Sequence, residues 1–232
     1  MAWRTEVAAT HCSRCYLSST HEEADTKLIL HALDAKVRGA TKLFIFAQDT
    51  EVLVLAVRGY NRLSDKSFFV PDQHTLISLH DIASTLGHLK TAALPGFHAL
   101  SGCYSTGCLM GKGKSSYWKA FTYAGDKTLA ALASLGSTDI VPDEITDELE
   151  AFICQVYQPG TKLKTLSALR WWMFSTKQVV GEKLPPTKGT FLTAIRRVSF
   201  QAIVWAHDAK STPILPSPAD HGWTMEEGTW LP

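Results

Sequence analysis

The sequence predicts an α/β fold that passes into a mainly helical C-terminal region. Three observations predict it: a short apolar run rich in β formers between two helical patterns, an acidic turn leading from that run into the next helix, and helical periodicity from His80 onward. Residues 1–20 show no periodicity and read as an extension or truncated start. In 22–37, Ala24, Leu28, Leu30, Ala32 and Leu33 fall broadly on one side of a helix, Asp25 and Thr26 sit in its first turn, and Gly39 stops it. Lys42-Leu-Phe-Ile-Phe-Ala47 reads as a buried parallel strand, followed by Gln48-Asp49-Thr50-Glu51 and a short apolar helix over 52–57. Residues 67–70 and 75–78 read as strands, with a hairpin across 71–74. Helices are then predicted over 81–86, 115–124, 127–135, 143–157 and 191–209, the last beyond Pro185-Pro186. Residues 211–232 form a proline-rich tail. Trp171-Trp172, Phe191, Phe200 and Trp205 are expected in the core, with Cys103 and Cys108 as buried thiols and His98 as a packed histidine.

Composition excludes several classes. With 45% hydrophobic and 19% charged residues, the 232-residue chain is globular rather than disordered. A formal net charge of +1 gives no global attraction to nucleic acid or membrane, so any basic surface must be local. No run approaches the roughly 18 apolar residues of a bilayer span, and the N-terminus has no apolar signal region. No membrane partner is expected. Five cysteines without a disulfide rhythm suit a reducing compartment, nuclear or cytoplasmic. Cys12-x-x-Cys15, near His11 and His21, lacks the second cysteine pair of a zinc site.

Two segments carry candidate chemistry. Asp49 follows the predicted strand, where open α/β sheets place their ligands, and Glu51 lies two residues on. Glu23 and Asp25 open the preceding helix. Carboxylates gathered in this way suit Mg²⁺ or Mn²⁺, while acids in a first helical turn also serve as caps. The second segment runs from Leu94 to Lys114 and ends in Gly111-Lys112-Gly113-Lys114 before a helix. Glycines at a helix start let the backbone approach a phosphate, and the lysines add local positive charge; a flexible loop with a basic cap fits the same residues. The segment is not a P-loop, because three residues rather than four separate Gly107 from Gly111 and Lys112 is followed by glycine.

Together these segments resemble the flap-endonuclease-type 5′-nucleases of the PIN-like superfamily. Glu22-Glu23-Ala24-Asp25 resembles the family's acidic helix start, Phe44 to Leu55 its strand with Ser-x-Asp-x-Asp, and Ala99 to Gly113 its helix–two-turns–helix. That match covers roughly residues 21–125. From His21 to about Trp223 the chain is also similar to mobile-element-derived proteins of animal genomes. These typically read His-Glu-Glu-Ala-Asp-Thr, then Asp-Thr-Asp-Val-Leu-Val-Leu, then Leu-Pro-Gly-Phe-His-Ala-Leu-Thr-Gly-Cys-Asp. The resemblance implies a partial three-layer sheet, a nuclease-like unit over 21–125, a helical region over 126–210 and a tail over 211–232. It makes Glu23, Asp25, Asp49 and Glu51 the metal-binding and catalytic set for Mg²⁺ or Mn²⁺. Gly111, Lys112, Gly113 and Lys114 become the grip on a DNA or RNA backbone.

Three departures from the family pattern weaken the expected catalysis. Glu51 stands where the family has Asp, and Tyr104 where it has another Asp; a phenol is a poor ligand for a hard cation. The family's upstream strand carries a further Asp, and here no Asp precedes Asp25. The expectation is a reduced nuclease-like unit with one sheet side uncovered, open to a partner protein chain. The alternative is a structural or protein-interaction remnant.

Overall fold

A computed structural model describes residues 18–21, 23–109, 111–176 and 181–231. The readings made on Cys12, Cys15 and His11 lie outside the described residues. Among those described, the chain is mixed α/β and mostly helical, with eight α-helices, a three-stranded sheet and a two-stranded hairpin.

The first helix, α1 (Ala24–Val37), starts at the N-cap Glu23, and Gly39, at φ 92°, turns the chain just past its end. Next come β1 (Lys42–Phe46), α2 (Thr50–Arg58) and β2 (Lys66–Val70), with β2 parallel to β1. A two-residue β3 (Ile77–Ser78) pairs antiparallel to β2, so the sheet order is β1-β2-β3. The predicted parallel strand is therefore present, but it is not buried. β1 is an edge strand: Ile45 is buried, while Phe44 and Phe46 are 44% and 67% exposed. A buried parallel strand needs neighbours on both edges and cover on both faces. Here β1 has β2 on one edge, and Phe44 stacks on Phe68 with ring centroids 5.5 Å apart.

The predicted helix at 81–86 and the short helix before Gly102 are two halves of one bent helix, α3 (Leu79–Leu100), broken at Gly87, where φ is 75°. Pro95 lies inside its second half because residues 93–100 are all buried, and tertiary packing outweighs the missing N–H. Behind it pack α4 (Lys114–Thr122), α5 (Asp126–Ser134), α6 (Asp143–Tyr157), α7 (Leu166–Ser175) and α8 (Lys188–Ala206). α7 was not resolved from the general helical pattern. It buries Leu166, Leu169 and Met173, and this turns Trp171 outward, 70% exposed, and leaves Trp172 half-buried. The core expectation fails for Trp171 because helical spacing gives the buried face to those three residues. It holds for Phe191 and Trp205, both fully buried, and Phe200 is half-buried. The two loop thiols also differ from expectation: Cys103 is half-buried and Cys108 exposed.

A single hydrophobic cluster runs from Ile29 to Trp205, so the sheet and the later helices share one core. The tail lies on the surface as expected, but it is not featureless. It carries a hairpin of β4 (Thr224–Glu226) and β5 (Thr229–Leu231), and Arg197 of α8 donates to the Gly222 carbonyl at 2.9 Å. Among the described residues no helix is long and apolar enough to cross a membrane.

The contact of α3 with α5 is tight enough to test. A Cβ on Gly96 would fall 2.1 Å from the backbone oxygen of Leu132. Gly96→Ala is expected to lower stability by about 2 kcal/mol or more, because neither backbone can yield cheaply. An unchanged urea midpoint would show that the helices separate without cost.

Candidate functional site

The acidic site forms at the carboxyl end of β1, where three chain segments meet. Asp49 leaves β1 and caps α2: its Oδ1 accepts the Glu51 backbone N–H at 2.8 Å. This cap sets the first turn of α2, so Glu51 points inward and is 8% exposed. The second segment, the start of α1, brings Asp25 beside them. The third is the loop after α3, where the Tyr104 N–H donates to Glu51 Oε1 at 3.1 Å.

These acids are close enough to alter one another. Burial raises the pKa of Asp25, the Asp49 charge raises it further, and a side-chain hydrogen bond with Glu51 pulls it back. Burial likewise raises Glu51, which the Tyr104 N–H opposes and the charges of Asp49, Asp25 and Glu23 reinforce. A raised pKa favours the protonated form of either acid, which relieves the crowding of charge.

Glu23 is committed elsewhere. Its Oε1 accepts from Gln201 Nε2 at 2.8 Å and its Oε2 from Trp205 Nε1 at 3.1 Å, both on α8. The other face of Gln201 accepts a hydrogen bond from Ser105 Oγ, tying α8 to the loop that carries Tyr104. Sequence reasoning missed Gln201, Trp205 and Ser105. Gln201 lies 178 residues from Glu23, and no local pattern could signal that pairing. His98 is buried beside the cluster, its Nε2 3.9 Å from Glu51 Oε1 and without a hydrogen-bond partner among the described residues. Burial pushes its pKa down to about 4, helped by Lys114 and opposed by Asp49, so the ring is neutral at neutral pH.

The structure thus brings Asp25, Asp49 and Glu51 together and ties Glu23 back to α8. Among the described residues no group of three or more His, Cys, Asp or Glu side chains is placed to hold a metal ion. Tyr104 offers the cluster only its backbone, since its side chain is fully exposed.

The glycine-lysine segment divides in the same way. Lys112 donates its ammonium to the Tyr157 carbonyl at 3.1 Å, at the end of α6, and lies over the Tyr157 ring. Gly111 takes φ 79° against the backbone of Lys183. Gly113 is the N-cap of α4, with no side-chain cap, and Lys114 is the first residue of that helix, on the His98 side. The loop is held by Gly102, at φ 99°, where a Cβ would meet Cys108 at 2.9 Å.

No protein-family profile, curated protein or solved structure matches the chain.

The raised pKa values of Asp25 and Glu51 have a consequence for stability. A carboxyl group whose folded pKa is raised binds its proton more tightly in the folded chain, so Asp25 and Glu51 detract from stability at neutral pH. The penalty disappears as pH falls through their raised values to the ordinary 3.8 and 4.5. In Glu51→Gln the amide keeps an acceptor for the Tyr104 N–H and gains a donor for Asp25. This variant is expected to melt higher than the wild type at about pH 7, with the gap narrowing as the pH falls through the raised values toward the ordinary 3.8 and 4.5. His98 contributes equally to both proteins, so a gap that does not change with pH would count against the raised carboxyls.

Proposed function

We propose that this chain is a reduced, metal-dependent 5′-nuclease-like domain of the PIN-like class, mobile-element derived, that contacts a DNA or RNA phosphate backbone and hydrolyses it weakly or not at all. The observation that carries this reading is the meeting of Asp25, Asp49 and Glu51 at the carboxyl end of a parallel strand. A cluster built only for capping has no reason to gather acids from two helix starts against their mutual repulsion. The nucleus or cytoplasm is the compartment such a role requires.

The residues fit a divalent cation in charge more than in geometry. Burial and, after it, neighbouring carboxylate charge raise Asp25 and Glu51, and a cation relieves the charge repulsion. Asp25, Asp49 and Glu51 would hold Mg²⁺ or Mn²⁺; Glu23 stays with Gln201 and Trp205. When bound, such an ion supplies charge neutralisation at the phosphodiester and a more acidic water. The chain itself contributes orientation: Asp49 sets the α2 turn, the Tyr104 N–H fixes Glu51, and Gly113 and Lys114 present a helix N-terminus and a cation to phosphate. Two-ion hydrolysis needs further ligands, and the Tyr104 position is where one is lacking.

A second reading is favoured by β1. Its second edge, unpaired among the described residues, and the exposed Phe44 and Phe46 suit a protein chain that covers the sheet, with no nucleic-acid role.

Cleavage of labelled 5′-flap and single-stranded DNA in Mn²⁺ tests the first reading. Wild-type cleavage is expected to be slow or undetectable, Tyr104→Asp faster, and the double variant with Asp49→Asn inactive; asparagine retains the α2 cap, so the loss reports charge rather than folding. Oligonucleotide affinity should also fall steeply with salt, as released counterions require. A flat salt response or no binding sinks this reading. The second reading expects association through β1 that Phe46→Glu abolishes in sedimentation. A monomer at every concentration, with no partner exchange protecting β1 amides, counts against it.

A further inference from the structure

Beside the carboxylates lies a cleft of about 720 Å³, within the range of small-ligand sites. It shares with the acidic site His98, which stands beside Glu51, and Thr50, which lies between Asp49 and Glu51, while its apolar walls take no part in that site. Val57 of α2, Ile82 and Leu86 of the first half of α3, Phe97 of the second half and Trp118 of α4 form its walls. The lining is mostly apolar, yet Trp118 is 44% exposed and Leu86 only half-buried, so a large apolar surface is left facing solvent. Phe97 and Trp118 meet edge to face with centroids 5.7 Å apart, leaving Trp118 ring surface free toward the cleft.

The cleft holds one charge of each sign, on separate elements: Lys114 at the start of α4 and Asp81 in the first turn of α3. Lys114 and the uncapped first turn of α4 attract an anion. Asp81 accepts N–H groups. His98 adds a buried imidazole whose Nε2 lacks a hydrogen-bond partner among the described residues. An acyl chain would satisfy the walls but would use neither charge at the rim. A flat heteroaromatic ring with amino or imino groups, joined to a phosphate, satisfies the walls and both charges.

Resting on the nuclease-like reading above, we propose that this cleft receives the unpaired terminal nucleotide of a single-stranded nucleic acid. The base packs against the exposed ring of Trp118, backed by Phe97, and its phosphate sits at Lys114 and the first turn of α4. The adjoining phosphodiester is then brought toward Asp25, Asp49 and Glu51, since Thr50 and His98 are common to both sites. DNA and RNA share this chemistry, and the 2′-hydroxyl alone separates them.

The test is fluorescence anisotropy of the full chain with internally labelled single strands, DNA and RNA, carrying ordinary or abasic nucleotides at both ends. Wild-type protein is expected to bind ordinary ends about tenfold more tightly than abasic ends, the range one stacked base provides. Trp118→Ala removes that preference, Trp118→Phe keeps it, and neither changes the salt slope. Lys114→Gln lowers the slope by about one, whereas Ile140→Ala, outside the cleft, changes nothing. Salt-dependent binding that ignores the ends, in wild-type protein where folding is not in question, overturns the cleft and leaves backbone contact standing. Absence of binding to any strand overturns both.

Discussion

The hydrogen bonds that Gln201 and Trp205 give to Glu23 hold the site together. They fasten the start of α1 to α8, and this places Asp25. Through its other face Gln201 takes the Ser105 hydroxyl, and so fixes the loop from which the Tyr104 N–H reaches Glu51. One side chain, 3% exposed, therefore aligns two of the three segments that form the acidic cluster. A buried amide can do this because it both donates and accepts, and because a network in low dielectric is costly to leave half-satisfied.

A second anchor works just past the same, C-terminal end of α8. Arg62 grips the buried Asp208 with two hydrogen bonds of 3.0 and 2.8 Å, and Arg58 donates to the Trp205 carbonyl. α8 is thus clamped to the α1 start by neutral amide and indole donors and to the α2 end by charge. Trp205 takes part in both clamps, is fully buried and packs near His98. The site side of this arrangement concentrates negative charge, and the neutral His98 does nothing to offset it. The result is a fold that tolerates electrostatic repulsion in a small region because distant packing holds that region in place. Local strain of this kind is a feature of binding sites more than of surfaces selected for stability alone.

Much of the architecture was legible because it rests on short-range rules. Alternation between apolar runs and acidic turns marked β1 and the start of α2, and α6 was read to its observed bounds from a strong amphipathic pattern. The candidate acids were legible too, since residues just beyond a parallel strand face the crevice. What failed were statements about environment. β1 has the composition of a central strand, but burial depends on what lies on its other edge. Lys112 has the spacing of a phosphate ligand, but the Tyr157 carbonyl, 45 residues away, takes its ammonium.

The sequence by itself determined the helix-strand-helix order around β1, the parallel character of that strand, the helical C-terminal region and the identity of the acids at the end of β1, while α7, the continuity of α3 across Gly87 and the β4–β5 hairpin were not legible in it. Periodicity, caps and turn residues act over a few positions, so they can be read from the chain. Only the tertiary structure decided that Glu23 is held by α8, that Asp25 and Glu51 are partly desolvated near one another, that Tyr104 contributes its backbone rather than its ring, and that a cleft opens next to them. Those outcomes are contacts between segments separated by up to 182 residues, set by packing and by mutual desolvation, which no single stretch of sequence encodes.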